Sequence, residues 1–191
     1  MSTIKSLFVF LIQLVFDFYL YLLILRLLMQ KLSINWSNPV TQMVIKVTEP
    51  VLKPLRRYIP GFKGFDLSIL VLALVIAMVQ QLIVVGLSYG FMPRVLGLIM
   101  IAAITLVNKA LYCFIFAIIV SALISWFPRL QGGPLSHIVN TISEPCLRLP
   151  RRFIPLIGGF DVSPVVALLV LYWLSLLFIQ PLMAMAIRWS L

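Results

Sequence analysis

Residues 144–164 read "EPCLRLPRRFIPLIGGFDVSP", a basic, proline-rich stretch set between two long apolar runs, and residues 49–69, "EPVLKPLRRYIPGFKGFDLSI", nearly repeat it. The two align without a gap at a constant offset of 95 residues. Glu49-Pro50 matches Glu144-Pro145, Arg56-Arg57 matches Arg151-Arg152, Pro60 matches Pro155, Asp66 matches Asp161 and Ser68 matches Ser163. The same offset pairs Pro39 with Pro134 and superposes the apolar run before each motif. The pattern predicts a direct repeat of span, basic segment, span. With an even number of spans per unit, both units run the same way through a membrane.

The surrounding composition makes that membrane necessary. Of the 191 residues, 63% are hydrophobic, well above the roughly 45–50% of a soluble domain. Four runs are long enough to cross a bilayer: residues 7–28, 67–91, 109–127 and 164–187. The first follows Lys5 and resembles a signal peptide at a glance. It exceeds the h-region length of a signal and has no small-x-small cleavage site, so it is expected to stay as an anchor. Residues 95–107 are also apolar, and Asn108-Lys109 divides them from the third run. They are expected either to lie in the interface or to extend that helix. The fold class expected is an all-α integral membrane protein with a first repeat over 1–91, a linker over 92–107 and a second repeat over 108–191. Its basic segments cover 29–66 and 128–161.

Charge gives the orientation. The formal net charge is +10, but its carriers sit beside spans, where they set topology and meet anionic lipid. Lys31, Lys46, Lys53, Arg56, Arg57 and Lys63 follow the first run; Arg129, Arg148, Arg151 and Arg152 follow the third. The opposite side holds Lys5, Arg94, Arg188 and, at its margin, Lys109. Both basic segments are therefore expected in the cytoplasm, with both termini on the other side, and a nucleic-acid partner is not expected. A five-span arrangement would split the basic segments between the two faces, against the charge balance.

Within each motif the pattern suggests a short amphipathic helix. Pro50 and Pro145 suit a first helical turn, with Thr48 and Ser143 as N-caps. Lys53, Arg56 and Arg57, spaced i, i+3, i+4, share one face, with Leu52, Leu55 and Ile59 on the other. Arg148, Arg151 and Arg152 oppose Leu147 and Ile154 in the same way. Such segments lie on a membrane surface, at about 1 kcal/mol of attraction per basic residue near anionic lipid. Pro54 and Pro150 limit the helices. Gly158-Gly159 is suited to a re-entry turn, after which Asp161 or Ser163 can cap the fourth span, with Pro164 in its first turn; Asp66 and Asp161 are read as structural groups at the positive helix ends rather than as a proton or ion site. The arginines are candidates for binding an anionic headgroup or a partner's acidic segment; a topological anchor accounts for the same residues.

Polar residues also fall inside the apolar runs. Asp17 lies mid-span, Gln80 and Gln81 lie at similar depth, and Asn108 and Lys109 lie near the outer end of the third span. An uncompensated mid-span charge costs about 2.5–3.5 kcal/mol, so Asp17 should face other helices, and it reaches Lys109 if the third span begins deeper. Arg26 is on the opposite helix face from Asp17 and is expected to snorkel to the headgroups. Gly86, Gly90 and Gly97 suit close packing or flexibility rather than a phosphate loop.

Catalytic signals are missing from the sequence. Cys113 and Cys146 have no metal-ligand spacing, and His137 is the single histidine. There is no nucleophile-base grouping and no glycine-rich nucleotide motif. No cofactor, no metal and no enzymatic activity are expected. Two functional classes follow: a membrane scaffold engaging lipid or a membrane complex, or an oligomeric transporter or channel component with Asp17 as its ionisable site.

The doubled Glu-Pro, Arg-Arg, Ile-Pro and Gly-x-Asp-x-Ser elements resemble the YggT family of small bacterial membrane proteins, with the YlmG proteins of Gram-positive bacteria and plastids among its relatives. The resemblance covers nearly the whole chain. "LISWF" at 123–127 fits the family's Ser-Trp element, whereas the first unit has "LMQKL" at 28–32. The first unit also has Lys63 for Gly158 and Ile69 for Pro164. The resemblance implies a bacterial inner-membrane protein, with roles among relatives in osmotic or envelope stress, in division, and in chloroplast b-type cytochrome maturation.

Overall fold

The computed structural model describes residues 3–59, 66–90, 92–127, 129, 131–154 and 161–190, and among these every regular element is helical. The long helices are α1 (Thr3–Lys31), α3 (Leu67–Tyr89) and α4 (Val95–Trp126). A fourth rod joins α7 (Ser163–Leu174), a π-helical turn (Ser175–Ile179) and α8 (Gln180–Ser190). All four are long and apolar enough to cross a membrane. Shorter helices connect them: α2 (Pro39–Leu55), α5 (Pro134–Leu147) and α6 (Pro150–Phe153).

Residues 95–107 are continuous with the helix behind them, so the helix-extending alternative is the one the structure adopts. At 1.5 Å per residue, the 32 residues of α4 reach about 48 Å, more than the ~30 Å hydrocarbon core. Lys109 consequently sits at the middle of α4, not near an end.

The connecting helices begin earlier than the Glu-Pro motif suggests. Asn38 caps α2, its side chain accepting from the Val40 N–H at 2.9 Å, and Pro39 takes the first helical turn. α5 likewise opens at Pro134. Pro50, Pro54 and Pro145 are inside the helices. Each removes one helical hydrogen bond, and all three lie on exposed faces near the C-terminal ends. Thr48 is correspondingly mid-helix, its hydroxyl donating to the Val44 carbonyl at 2.7 Å, and is not an N-cap. Ser143 sits at the same place in α5, again not as an N-cap, and donates to the Asn140 carbonyl at 3.1 Å.

The core repeats with the sequence register. Leu23, Leu52 and Leu72 pack together with Leu20, Ile69, Ala73, Ala77 and Ala102 in one cluster. Ile118, Leu147 and Ala167, their counterparts at the 95-residue offset, form another. Met29, Ile34, Val44, Ala117, Ile138, Val139 and Ile142 join the two units. At the basic end, Asn38 Nδ2 donates to the Pro134 carbonyl at 2.8 Å, so α2 and α5 lie on the same side. At the other end the Arg94 N–H donates to the Ser190 carbonyl at 3.0 Å. Gly97 permits this closure: a Cβ there would stand 2.4 Å from Ser190 Cα. Gly90 ends α3 at φ 74°, a left-handed conformation that glycine adopts at little cost.

Candidate functional site

Each unit has a corner where the connecting helix meets the following span. In the first, Arg56 donates through Nε and Nη2 to Asp66 Oδ2 at 2.8 and 2.6 Å, and through Nη1 to Glu49 Oε1 at 3.0 Å. In the second, Arg151 Nε donates to Asp161 Oδ2 at 3.1 Å and its Nη1 to Glu144 Oε2 at 3.0 Å. In the first unit glutamate and arginine are seven residues apart along α2 and its C-cap, two helical turns that put them on one face; in the second the same interval runs from α5 into α6.

The aspartates act twice. Asp66 Oδ1 accepts from the Ser68 N–H at 3.1 Å, and Asp161 Oδ1 from the Ser163 N–H at 2.9 Å, so each carboxylate satisfies a backbone donor at the start of its span while its other oxygen holds the arginine. Burial by itself raises the Asp161 pKa; hydrogen bonds from Ser163, then from Arg151 with its charge, outweigh this and hold the carboxyl below the usual aspartate range. Pro60, Pro155 and the Gly158-Gly159 turn lie outside the described residues.

Arg26 differs from the sequence expectation. Its side chain is 3% exposed and does not snorkel. It donates through Nη1 to Thr48 Oγ1 at 2.6 Å and through Nη2 to Glu49 Oε2. Snorkelling fails because α2 folds back against α1 and offers Arg26 a carboxylate and a hydroxyl as partners. The hydrogen bond from Arg26 is the main reason Glu49 is held below the ordinary glutamate range, outweighing the opposing effect of burial. The counterpart of Arg26 is Ser121, whose hydroxyl donates to Asn140 Oδ1 at 2.7 Å.

Of the basic candidates, Arg56 and Arg151 are thus held by carboxylates, Arg56 half-buried and Arg151 at an exposed position. Lys53, Arg57, Arg148 and Arg152 are exposed. Beside Arg57 stands Tyr58, 84% exposed, and beside Arg152 stands Phe153, 80% exposed.

Asp17, Gln80 and Lys109 come from the middles of α1, α3 and α4 and meet. Lys109 Nζ lies 2.8 Å from Asp17 Oδ1, and Gln80 Nε2 donates to the same oxygen at 2.5 Å. The ammonium also stands 4.8 Å from the centroid of the Tyr21 ring, within cation–π range. Asn108 lies one residue away on α4 and faces the fourth rod, where Ser175 Oγ donates to its Oδ1 at 3.4 Å. Gln81, next to Gln80 on α3, is half-buried. Among the described residues no cluster of three His, Cys, Asp or Glu side chains could hold a metal.

A bundle of four long apolar helices, braced at two equivalent arginine-carboxylate corners and crossed by a mid-helix ion pair, defines a multi-pass helical membrane protein. The chain belongs to the CCB3/YggT family, whose model matches residues 5–87 and 100–182. It is 35% identical to an uncharacterised protein of Pseudomonas aeruginosa over 178 residues, 93% of this chain and 90% of that one. It is 32% identical to the YggT protein of Escherichia coli K12 over 169 residues, covering 87% and 86%. The chloroplast protein CCB3 of Arabidopsis thaliana, whose name describes cofactor assembly of a complex, is 32% identical over 80 residues, 41% of this chain and 46% of that one. No solved structure gives a significant match.

Proposed function

We propose that this protein is a non-catalytic scaffold of the bacterial inner membrane that helps assemble or maintain a membrane complex, with a role in osmotic or envelope stress. The carrying observation is the division of labour within each Arg-Arg pair. Arg56 and Arg151 pair with the corner carboxylates, while Arg57 and Arg152 are exposed and each is followed by an exposed aromatic. Basic residues beside exposed aromatics suit a headgroup interface, where the ring enters the acyl boundary and the cation meets phosphate. In this reading the basic end faces the cytoplasm, both termini lie opposite, and Lys53, Arg57, Arg148 and Arg152 engage anionic lipid and, beside it, an acidic surface of the complex. The assembly role carried in the name of the Arabidopsis relative agrees with it. Self-association would add copies of the same basic surface.

The test is to replace Lys53, Arg57, Arg148 and Arg152 together by Gln and compare binding of cardiolipin with that of a zwitterionic lipid by native mass spectrometry from nanodiscs, alongside crosslinking in native membranes. The expected result is loss of the preference for cardiolipin with the helical fold intact. An unchanged lipid preference together with an unchanged crosslinking pattern would sink the reading. Asp17 as the site of a transport pathway is less well supported, because its carboxylate is already matched by Lys109 and Gln80.

A further inference from the structure

The two corners differ by one charge. The first contains Arg26, Glu49, Arg56 and Asp66, two cations against two anions. The second contains Glu144, Arg151 and Asp161, with one cation against two anions. What the second lacks is the counterpart of Arg26, because α4 carries Ser121 there. In the space beside it lies an open cavity of about 390 Å³, lined by Ser121, Ser136, Asn140, Ser143, Glu144 and Arg151 among others.

We propose that this cavity is a receptor for a guanidinium group, supplied by an arginine side chain of a partner protein. The first unit displays the bound form within the same chain: the Arg26 fork bridges Thr48 Oγ1 and Glu49 Oε2. Ser143 and Glu144 occupy those two positions in the second unit. Ser143 is 1% exposed, and its hydroxyl donates to the Asn140 carbonyl. The other side of that oxygen, the acceptor side that receives Arg26 in Thr48, has no donor among the described residues. Glu144 has its side chain 57% exposed, so an incoming cation reaches it without displacing a packed element.

The lining favours a polar guest over lipid. Asn140 stands where the first unit has Ile45, and Ser121 where it has Arg26. A planar fork matches a hydroxyl and a carboxylate side by side better than a compact ammonium does. Neutralising the surplus negative charge adds to the attraction. None of Lys53, Arg57, Arg148 and Arg152 lines the cavity, so the inference stands apart from the lipid reading above.

The experiment uses the full chain in nanodiscs, titrated with N-acetyl-arginine amide and followed by calorimetry, with the citrulline and lysine analogues as comparators. Saturable binding of the arginine compound is expected, at least tenfold tighter than the citrulline compound and tighter than the lysine compound. Glu144→Gln should weaken it more than tenfold. Ser121→Arg should abolish it and raise thermal stability, since the new side chain fills the cavity as Arg26 fills its own. A short arginine-containing peptide binding more tightly than the free amide assigns the group to a protein partner; equal binding overturns that assignment in favour of a small guanidinium compound. Absence of saturable binding, or binding indifferent to Glu144→Gln, overturns the site itself.

Discussion

Replacing Glu49 by Gln and, separately, Glu144 by Gln makes the same chemical change at two sites of matching sequence, yet the structure predicts different costs. Glu49 serves Arg26, whose side chain is 3% exposed, as well as Arg56. Orphaning a buried charge costs about 3–5 kcal/mol. Because Glu49 is 36% exposed and Thr48 still accepts from Arg26, the expected loss is nearer ~2–3 kcal/mol on the same scale. Glu144 meets only Arg151 among the described residues, with side-chain exposures of 57% and 43%, and an exposed pair contributes about 0–1 kcal/mol. The difference of roughly 2 kcal/mol is about a 30-fold change in the unfolding equilibrium. Reversible unfolding in mixed micelles, followed by helical circular dichroism, measures both variants. A double-mutant cycle with Arg26→Gln should return a coupling of about 1 kcal/mol or more for Glu49. Equal costs for the two variants, or no coupling to Arg26, would falsify the assignment of Arg26 as a buried partner.

Other perturbations follow from the same contacts. Asp17→Asn leaves the Lys109 ammonium without its carboxylate and should destabilise by about 3 kcal/mol, with Lys109→Gln in the same background recovering part of the loss; ion flux in liposomes that falls with Asp17→Asn while stability is kept would favour a transport role instead. Gly97→Ala forces the Ser190 backbone aside and should cost about 1–3 kcal/mol, read by the same unfolding assay, and a neutral result would place the helix ends further apart. The lowered pKa of Glu49 and of Asp161 gives a direction to acid lability: a carboxyl whose folded pKa lies below its unfolded value adds stability above that unfolded value and loses it as pH falls through the folded one. Stability is therefore expected to decline below about pH 4.5, from the ordinary carboxylate range downward, and Glu49→Gln should flatten part of that slope.

The spans are legible in the sequence because about twenty apolar residues in a row have few other uses. The corners are legible only halfway. The i, i+3, i+4 spacing of Lys53, Arg56 and Arg57 marks a shared basic face, but it does not reveal that Arg56 turns toward Glu49 seven residues before it and Asp66 ten after it. The seven-residue interval recurs in Glu144 and Arg151, and two helical turns between opposite charges was the available signal. Asn38-Pro39 likewise announces the start of α2 more strongly than Glu49-Pro50 does, since an Asn cap followed by proline at the first turn is a start signal in its own right. Arg26 has no such marker. Its partners belong to a helix that returns only after a loop, and the sequence around it reads as an apolar span ending at a headgroup. Asp66 as the cap of α3 is legible because Ser68 stands two residues on, within reach of its side-chain oxygen; in the second unit Val162 takes the N-cap position of α7, and Asp161 one residue earlier still accepts from the Ser163 N–H.

The pairing of Asp17 with Lys109 has a consequence for biosynthesis. Chains emerge from the ribosome N-terminus first, so the carboxylate of α1 enters the bilayer before the ammonium of α4 exists. In that interval Gln80 of α3 is the polar side chain at hand for it, and the first unit is a helical hairpin with an unbalanced charge in its interior. The first two long helices are therefore not self-sufficient: Asp17 waits on α4 for its counter-ion, and a chain truncated before α4 should be cleared from the membrane faster than its hydrophobicity alone would suggest.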